Sequence, residues 1–157
     1  MSQVSSQREK PGLLLRMIQL LAPRITPVYL RLYRLLSGRL VGGGSALLIT
    51  TVGRRSGQPR TVIVGYRRRG DEVIVVGSNF ADPAVPSWVL NLRAHPEAEV
   101  QLGRERYQAR AEFLEREDRA GYWDRLVAAE PLYDQVQRVA GREIPVIRLS
   151  RVKGSSE

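Results

Sequence analysis

Apolar and polar residues alternate, or form short apolar runs, in six segments, and each segment predicts a β-strand. These segments are residues 46–52, 60–67, 72–78, 98–102, 106–114 and 144–149. The turn at residues 68–71 and the turn Gly103-Arg104 each join two neighbouring segments, so we expect two antiparallel hairpins. Pro145 lies at the start of the last segment, which predicts a strand start or a sheet edge there, because proline cannot donate a ladder hydrogen bond.

Helical spacing of apolar residues is found between and before these strands. Two amphipathic helices are expected in the N-terminal part, one at residues 12–21 and one that begins at Thr26-Pro27 and ends at Gly38. Three more are expected at residues 86–93, 115–129 and 131–139, the middle one burying Tyr122, Trp123, Leu126 and Val127. Strands grouped in hairpins argue against a parallel Rossmann sheet. The pattern therefore predicts a mainly β fold of the α+β class, a small barrel with peripheral helices.

The length of 157 residues corresponds to about one domain. We divide it into a basic N-terminal helical segment at residues 1–40 and a barrel domain at residues 41–157. The absence of cysteine excludes disulfides, thiolate metal sites and cysteine nucleophiles. The single histidine, His95, follows a predicted helix and has no carboxylate partners at metal-binding spacing, so no metal site is expected.

The net charge of +9 lies entirely in the first 60 residues, which hold ten basic residues and one acidic residue. Such asymmetry favours an anionic ligand, a membrane surface or nucleic acid as partner. Aromatic residues are sparse near these arginines, which disfavours nucleic acid. Arginines interrupt the apolar run from Leu13 to Leu36, so no transmembrane span is expected, and we expect a cytoplasmic protein. The basic helices suit contact with the inner membrane face, and equally a role in capping the barrel or closing a homodimer.

The segment Gly53-Arg54-Arg55-Ser56-Gly57-Gln58-Pro59-Arg60 connects the first two predicted strands. Its glycines fit a hairpin turn, and arginine presents a planar fork of donors that matches a phosphate or a carboxylate. The segment is therefore interpreted as an anion-binding turn on a β scaffold. The alternative interpretation is a solvated turn that happens to be rich in arginine.

Several motifs follow this turn in a characteristic order: Val75-Val76-Gly77-Ser78-Asn79, Pro86-Ser87-Trp88-Val89-Leu90-Asn91-Leu92, His95-Pro96 and Ile144-Pro145-Val146. Together with the turn, over residues 40–150, they resemble the deazaflavin-dependent nitroreductase family, whose cofactor is the flavin analogue coenzyme F420. The resemblance implies a split β-barrel related to FMN-binding proteins. It also implies that reduced F420 delivers a hydride to an electron-poor acceptor, such as a quinone, a nitro compound or an enone.

The resemblance assigns roles to individual residues. Cofactor-binding residues are expected in four segments: Arg54, Arg55, Ser56 and Arg60 at the phosphate and the acidic tail; Thr61, Val62, Ile63, Val64 and Gly65 beside the ring; Val76, Gly77, Ser78 and Asn79; and Ser87, Trp88, Val89, Leu90 and Asn91. Tyr133 and Ser78 are the catalytic candidates, because their hydroxyl groups can donate a hydrogen bond or a proton to the acceptor. The alternatives are core packing for Trp88, a surface position for Asn91 and an ordinary half-buried tyrosine at position 133.

Some residues depart from the family pattern. Glu130 and Val136 flank Tyr133 where nitro-reducing relatives carry tyrosines, Ile63 stands where proline is frequent, and Asn79 replaces a common lysine. Reduction of nitro compounds is therefore in doubt. Two alternatives remain open on the same barrel: a non-catalytic carrier of F420 or an acyl ligand, and an FMN-dependent reductase, which the arginines and the Trp-x-x-Asn-Leu motif disfavour.

Overall fold

The computed structural model describes residues 46–154 together with Leu13, Arg16, Met17, Leu20 and Arg31. These five N-terminal residues are helical, and the rest of the two predicted N-terminal helices lies outside the described residues. In the part of the chain that the structure describes, no helix has the length and apolar character that would let it cross a membrane.

Six strands form a closed antiparallel barrel in the order β1-β2-β3-β6-β5-β4. They are β1 (Ala46–Val52), β2 (Pro59–Arg69), β3 (Glu72–Val76), β4 (Glu97–Leu102), β5 (Glu105–Phe113) and β6 (Val146–Arg151). The predicted hairpins β2–β3 and β4–β5 are both confirmed. Pro145 immediately precedes β6, which pairs with β3 and β5, so the proline marks a strand start and not a sheet edge.

Eight strand ends differ from the sequence prediction by one or two residues, and β6 begins and ends two residues later than the predicted segment 144–149. β2 continues through Arg69, which leaves only Gly70 and Asp71 in the turn, where Gly70 has a φ of +62°. β3 ends at Val76 and not at Ser78: the Gly77 amide still donates to the carbonyl of Pro145 at 2.9 Å, but Pro145 has no N–H with which to return a second bond, so the ladder stops there. The chain then turns through a short 3-10 helix at Asn79–Ala81.

The barrel interior is filled by alternate residues of the strands and by one helix. In β5, Tyr107, Ala109 and Ala111 are buried while their polar neighbours are exposed. Helix α1 (Ser87–Ala94) adds Trp88, Val89 and Leu92 to the same core. This is the amphipathic pattern that the sequence predicted for these elements.

A second apolar layer covers the outer face of β3 and β6. Helices α2 (Arg116–Ala129) and α3 (Leu132–Ala140) pack there around Ile74 and Val146. Tyr122, Trp123 and Leu126 are buried and Val127 is partly buried, as predicted. Arg119 connects α2 to α3 and to the segment before β6. Its Nη2 donates to the Ile144 carbonyl at 2.7 Å and to Gln137 Oε1 at 2.9 Å.

The long strand β2 has two differently paired halves. Tyr66–Arg69 pairs with β3, whereas Pro59–Gly65 pairs with β1 alone among the described strands. The backbone groups along one edge of this half are therefore available to a ligand, since strand edges carry N–H and C=O groups without strand partners.

Candidate active site

The arginine-rich turn between β1 and β2 is organised by its own backbone. The Gly53 amide donates to the Gln58 carbonyl, and the Gly57 amide donates to the Gly53 carbonyl, both at 2.8 Å. A Cβ at position 53 would lie 2.6 Å from Ser56 Oγ, so the turn closes tightly around this glycine. The Gln58 amide also donates to Ser56 Oγ at 3.2 Å. The turn therefore presents its arginines from a rigid base.

Asn91 ties this turn to helix α1. Its Oδ1 accepts from the Arg54 amide at 3.1 Å and from Arg54 Nη1 at 3.3 Å. Its Nδ2 donates to Thr51 Oγ1 at 3.0 Å, and the Asn91 residue is only 3% exposed. The interpretation of Asn91 as a surface residue is therefore wrong.

A cleft of about 520 Å³, which we call the arginine cleft, lies beside this turn. Trp88 packs in the barrel core and also lines the cleft, so core packing is confirmed and its cofactor-binding role stays a prediction. Among the described residues, no carboxylate forms an ion pair with Arg54, Arg55 or Arg60. The cleft is lined by Gly53, Arg54, Arg55, Ser56, Arg60, Thr61, Val62, Ser87, Trp88 and Asn91.

The cofactor candidates on β2 begin at the arginine cleft, which Thr61 and Val62 line, and continue along the strand beyond it. Val62 and Val64 pack against the barrel core, while Ile63 is half-buried and Gly65 is exposed. Thr61 and Thr50 share a hydrogen bond of 2.8 Å between their hydroxyl groups, which joins β2 to β1 next to the cleft.

The segment from Val76 to Asn79 lies apart from the arginine cleft lining. A Cβ on Gly77 would come within 2.8 Å of Val89 Cγ2, so packing against α1 by itself accounts for glycine at this position. Arg142, which the sequence analysis did not single out, holds the segment that follows β3. Its Nη2 donates to the carbonyls of Gly77 at 3.2 Å and Ser78 at 3.4 Å, and burial lowers the pKa of this guanidinium.

The same Arg142 reaches the far end of this loop. Nη2 also donates to the Ala84 carbonyl and Nε donates to the Asp82 carbonyl, both at 3.2 Å. No sequence motif marks this arginine, because its acceptors are backbone groups that lie about sixty positions earlier in the chain and any residue can provide them.

Tyr133 is half-buried in the first turn of α3, and its ring packs edge-to-face on Trp123 with centroids 6.2 Å apart. Neither Tyr133 nor Ser78 lines the arginine cleft. The structure therefore does not bring the two catalytic candidates into the same cleft as the arginine turn.

A second cleft of about 440 Å³ lies between the end of β2 and helix α2, and we call it the tyrosine–arginine cleft. Burial raises the pKa of its Tyr122, with Tyr133 also raising this pKa and Arg67, Arg125 and Arg69 opposing the rise. Tyr133 lines neither of the two clefts. The lining residues of the tyrosine–arginine cleft are Tyr66, Arg67, Arg68, Tyr122, Arg125, Leu126 and Ala129.

The sequence analysis missed this second cleft. It assigned Arg68 to a turn and Tyr122 to the core, and it gave Tyr66, Arg67 and Arg125 no role. The one local signal was the placement of Tyr122 and Arg125 three positions apart, on the same face of a helix. The packing of that helix on β2 is a long-range contact that has no local signal.

Comparison with known proteins gives this architecture a family. The profile of the F420H2-dependent quinone reductases matches residues 25–150. The chain belongs to this family. It is therefore an oxidoreductase, and its cofactor is reduced F420. The resemblance to F420-dependent reductases is confirmed, and family membership favours a reductase over the carrier and FMN alternatives.

Individual relatives agree with this assignment. An F420H2-dependent quinone reductase of Mycobacterium tuberculosis strain H37Rv is 34% identical over 116 residues, which cover 72% of this chain and 78% of that protein. The solved structure of an F420H2-dependent reductase is 34% identical, covers 68% of this chain and 94% of its own, and superposes with a TM-score of 0.59. A domain-swapped dimer is 31% identical, covers 78% and 96% of the two chains, and has a TM-score of 0.61. The split β-barrel fold is thereby confirmed.

Proposed function

We propose that this protein reduces quinones with F420H2 and holds the phosphate and glutamate tail of the cofactor in the arginine cleft. The observation that carries the proposal is the set of arginines at positions 54, 55 and 60, which surround a cleft and have no carboxylate partner among the described residues. F420 is expected to carry a phosphodiester and several carboxylates, and bidentate guanidinium contacts suit both groups.

The residues of the arginine cleft hold the anionic part in a fixed direction. Asn91 restrains Arg54 through its backbone and its guanidinium, so that this arginine loses little conformational freedom on binding. Arg55 and Arg60 supply two further forks, and Ser56 and Ser87 supply hydroxyl groups at the rim. When bound, the cofactor supplies the hydride, and the protein supplies binding and orientation.

We place the ring along β2, beyond the arginine cleft. The half of β2 from Pro59 to Gly65 pairs on one side only among the described strands, so its backbone can hydrogen-bond a polar ring edge. From Arg60 to Tyr66 the strand spans roughly 20 Å at about 3.3 Å per residue. This direction leads toward Tyr122 and Tyr133. In this proposal Tyr133 holds a proton for the reduced acceptor, while Ser78 orients the acceptor or the ring.

The decisive experiment is a titration of the purified protein with F420 and, separately, with FMN. Quenching of Trp88 fluorescence reports binding at the arginine cleft, and a Trp88→Phe variant, which retains Trp123, supplies the control for that signal. We expect F420 to bind in the micromolar range and FMN to bind more weakly. Absence of F420 binding would contradict the proposal.

Turnover distinguishes a reductase from a carrier. With F420H2 and menadione present, we expect the deazaflavin to be oxidised at a rate that depends on the quinone. The absorbance of the deazaflavin measures this oxidation. Binding of F420 without such oxidation would favour the carrier.

We further propose that residues 1–40 form a separate basic segment that contacts an anionic membrane surface on its cytoplasmic side. Leu13, Met17 and Leu20 are helical, are spaced at i, i+4 and i+7, and are 78%, 50% and 68% exposed. Exposed Arg16 lies within the same stretch. An apolar stripe with basic neighbours is typical of helices that lie in a membrane interface.

Vesicle co-sedimentation tests this contact. We expect binding to vesicles that contain phosphatidylglycerol, weaker binding to pure phosphatidylcholine, and loss of binding in a Leu13→Glu/Leu20→Glu variant. Equal binding of both proteins would contradict it. If the stripe instead closes a homodimer, the same double variant becomes monomeric in size-exclusion chromatography with light scattering.

A further inference from the structure

The tyrosine–arginine cleft carries more positive than negative charge. Arg67, Arg68 and Arg125 line it, and among the described residues only Arg67 has an ion-pair partner, the carboxylate of Glu130. That pair lies in the open, with the two side chains 39% and 48% exposed, so water screens it. Two guanidinium groups are thus available to an incoming anion.

The rest of the lining is aromatic and apolar. Tyr66 and Tyr122 contribute rings, and Leu126 and Ala129 contribute an apolar surface from the same face of α2. Tyr122 is 8% exposed as a residue, and its hydroxyl is not among the buried polar atoms that lack a partner in the described part of the chain, so this group is open to solvent beside the cleft. A phenol whose ring is buried and whose hydroxyl is accessible can donate a hydrogen bond to a ligand in the cleft.

We infer that the tyrosine–arginine cleft binds a flat aromatic ligand that bears an anionic substituent, and that it is the subsite for acceptors of this class. The rings and apolar side chains fit an aromatic body, and Arg68 and Arg125 fit a carboxylate or a sulfonate. A volume of about 440 Å³ is within the range of small-molecule sites. The assignment to an acceptor rests on the proposed function, whereas the binding itself does not.

The position of the cleft supports the acceptor assignment. Arg60 and Thr61 line the arginine cleft, and Tyr66 and Arg67 line the second cleft, so the two clefts lie along one strand. A cofactor anchored at its anionic end in the first cleft would extend its ring toward the second. An acceptor has to approach that ring, and the tyrosine–arginine cleft is a lined space at that end of β2 among the described residues.

Direct binding to the protein without cofactor tests the site. We would titrate 2-naphthoate and the neutral 2-naphthamide in a calorimeter, since neither ligand can be reduced by F420H2 and they differ in charge. We expect 2-naphthoate to bind more tightly. An Arg125→Gln variant should weaken its binding about tenfold, the typical effect of losing one charge-assisted hydrogen bond. Arg68→Gln should act in the same direction, and Arg104→Gln, on the exposed β4–β5 turn, is the matched control.

Equal affinity for the two ligands, or unchanged 2-naphthoate binding in both cleft variants, would overturn the inference. Circular dichroism and thermal melting confirm that the variants are folded, which is expected because Arg68 and Arg125 are exposed.

Steady-state kinetics then tests the acceptor assignment with 1,4-naphthoquinone-2-sulfonate and menadione. Arg125→Gln should raise the KM for the sulfonated quinone about tenfold relative to the KM for menadione. If instead the affinity for F420 falls as strongly, the cleft holds the cofactor tail and the inference is wrong. If the wild type does not bind F420 at all, the proposed function fails, while 2-naphthoate binding is still decided by the calorimetry.

Discussion

Asn91 fixes the position of Arg54: one side-chain oxygen of Asn91 accepts both the backbone amide and the guanidinium of Arg54, at 3.1 and 3.3 Å. The amide nitrogen of Asn91 is in turn held by the hydroxyl of buried Thr51, at 3.0 Å. A helix, a strand and the turn are therefore connected at the edge of the arginine cleft. The asparagine of the Trp-x-x-Asn-Leu motif acts here as a positioning residue for an arginine.

Asn91→Ala should destabilise the protein by about 1–3 kcal/mol, because it leaves the Arg54 amide and the Thr51 hydroxyl without their partner. F420 affinity should fall as well, since Arg54 is no longer restrained. Asn91→Asp is the informative companion. Its carboxylate still accepts from Arg54, and the Thr51 hydroxyl can turn to donate to it, so the turn is retained while its positive charge is offset. Thermal unfolding and F420 titration separate the two effects: Asn91→Asp should lose affinity with a smaller loss of stability.

Arg55→Ala/Arg60→Ala should weaken F420 binding by roughly 100-fold or more, since each charge-assisted hydrogen bond contributes about 1.5–3 kcal/mol. The dependence of the dissociation constant on salt should also become weaker, because fewer charges attract the ligand. Fluorescence titration at two salt concentrations measures both. Arg104→Ala/Arg106→Ala, on the opposite hairpin β4–β5, removes the same charge and should retain wild-type affinity. If both double variants behave alike, the arginine cleft is not the anion site.

Gly77→Ala should destabilise the protein by about 1–3 kcal/mol, because the new methyl group would lie 2.8 Å from Val89 Cγ2. Valine in a helix has one strongly preferred rotamer, so it cannot move aside. Combining Gly77→Ala with Val89→Ala should recover part of this loss, and a double-mutant cycle of denaturant unfolding measures the coupling. Strictly additive effects would show that the strain has another origin.

Arg119→Met should cost about 2–4 kcal/mol of unfolding free energy, because the Ile144 carbonyl and Gln137 Oε1 lose their donor in a buried place. The guanidinium also stacks over Trp123, with its central carbon 4.9 Å from the ring centroid. Arg119→Lys should recover only a part, since an ammonium group does not reproduce the fork. Denaturant unfolding of the wild type and of the two variants measures these differences in unfolding free energy. A cost below about 0.5 kcal/mol for Arg119→Met would contradict this role.

Much of the barrel follows from local sequence patterns. β1 has the predicted bounds, and β4 and β5 form the predicted hairpin. The predicted end of β3 was wrong because the residue opposite Gly77 is Pro145, which lies far away in sequence and has no N–H to continue the ladder. Local patterns cannot show where such a distant residue will lie.

The candidate site was less predictable from the sequence than the barrel. The arginine turn was recognised because its residues are contiguous and their chemistry is distinctive. Tyr133 was identified by resemblance, and the structure packs its ring on Trp123, outside the lining of the arginine cleft. Arg142 was not recognised, since its four carbonyl acceptors belong to a loop that any side chains could form.

The sequence by itself determined the strands, the hairpins, the arginine-rich turn and the family, because periodicity, turn residues and contiguous motifs are local properties. The tertiary structure alone decided that Asn91 holds Arg54, that the catalytic candidates lie away from the arginine cleft, and that β2 and α2 form a second cleft. These relationships depend on closure of the barrel and on helix packing. Both arise from many weak long-range contacts, which no short segment encodes.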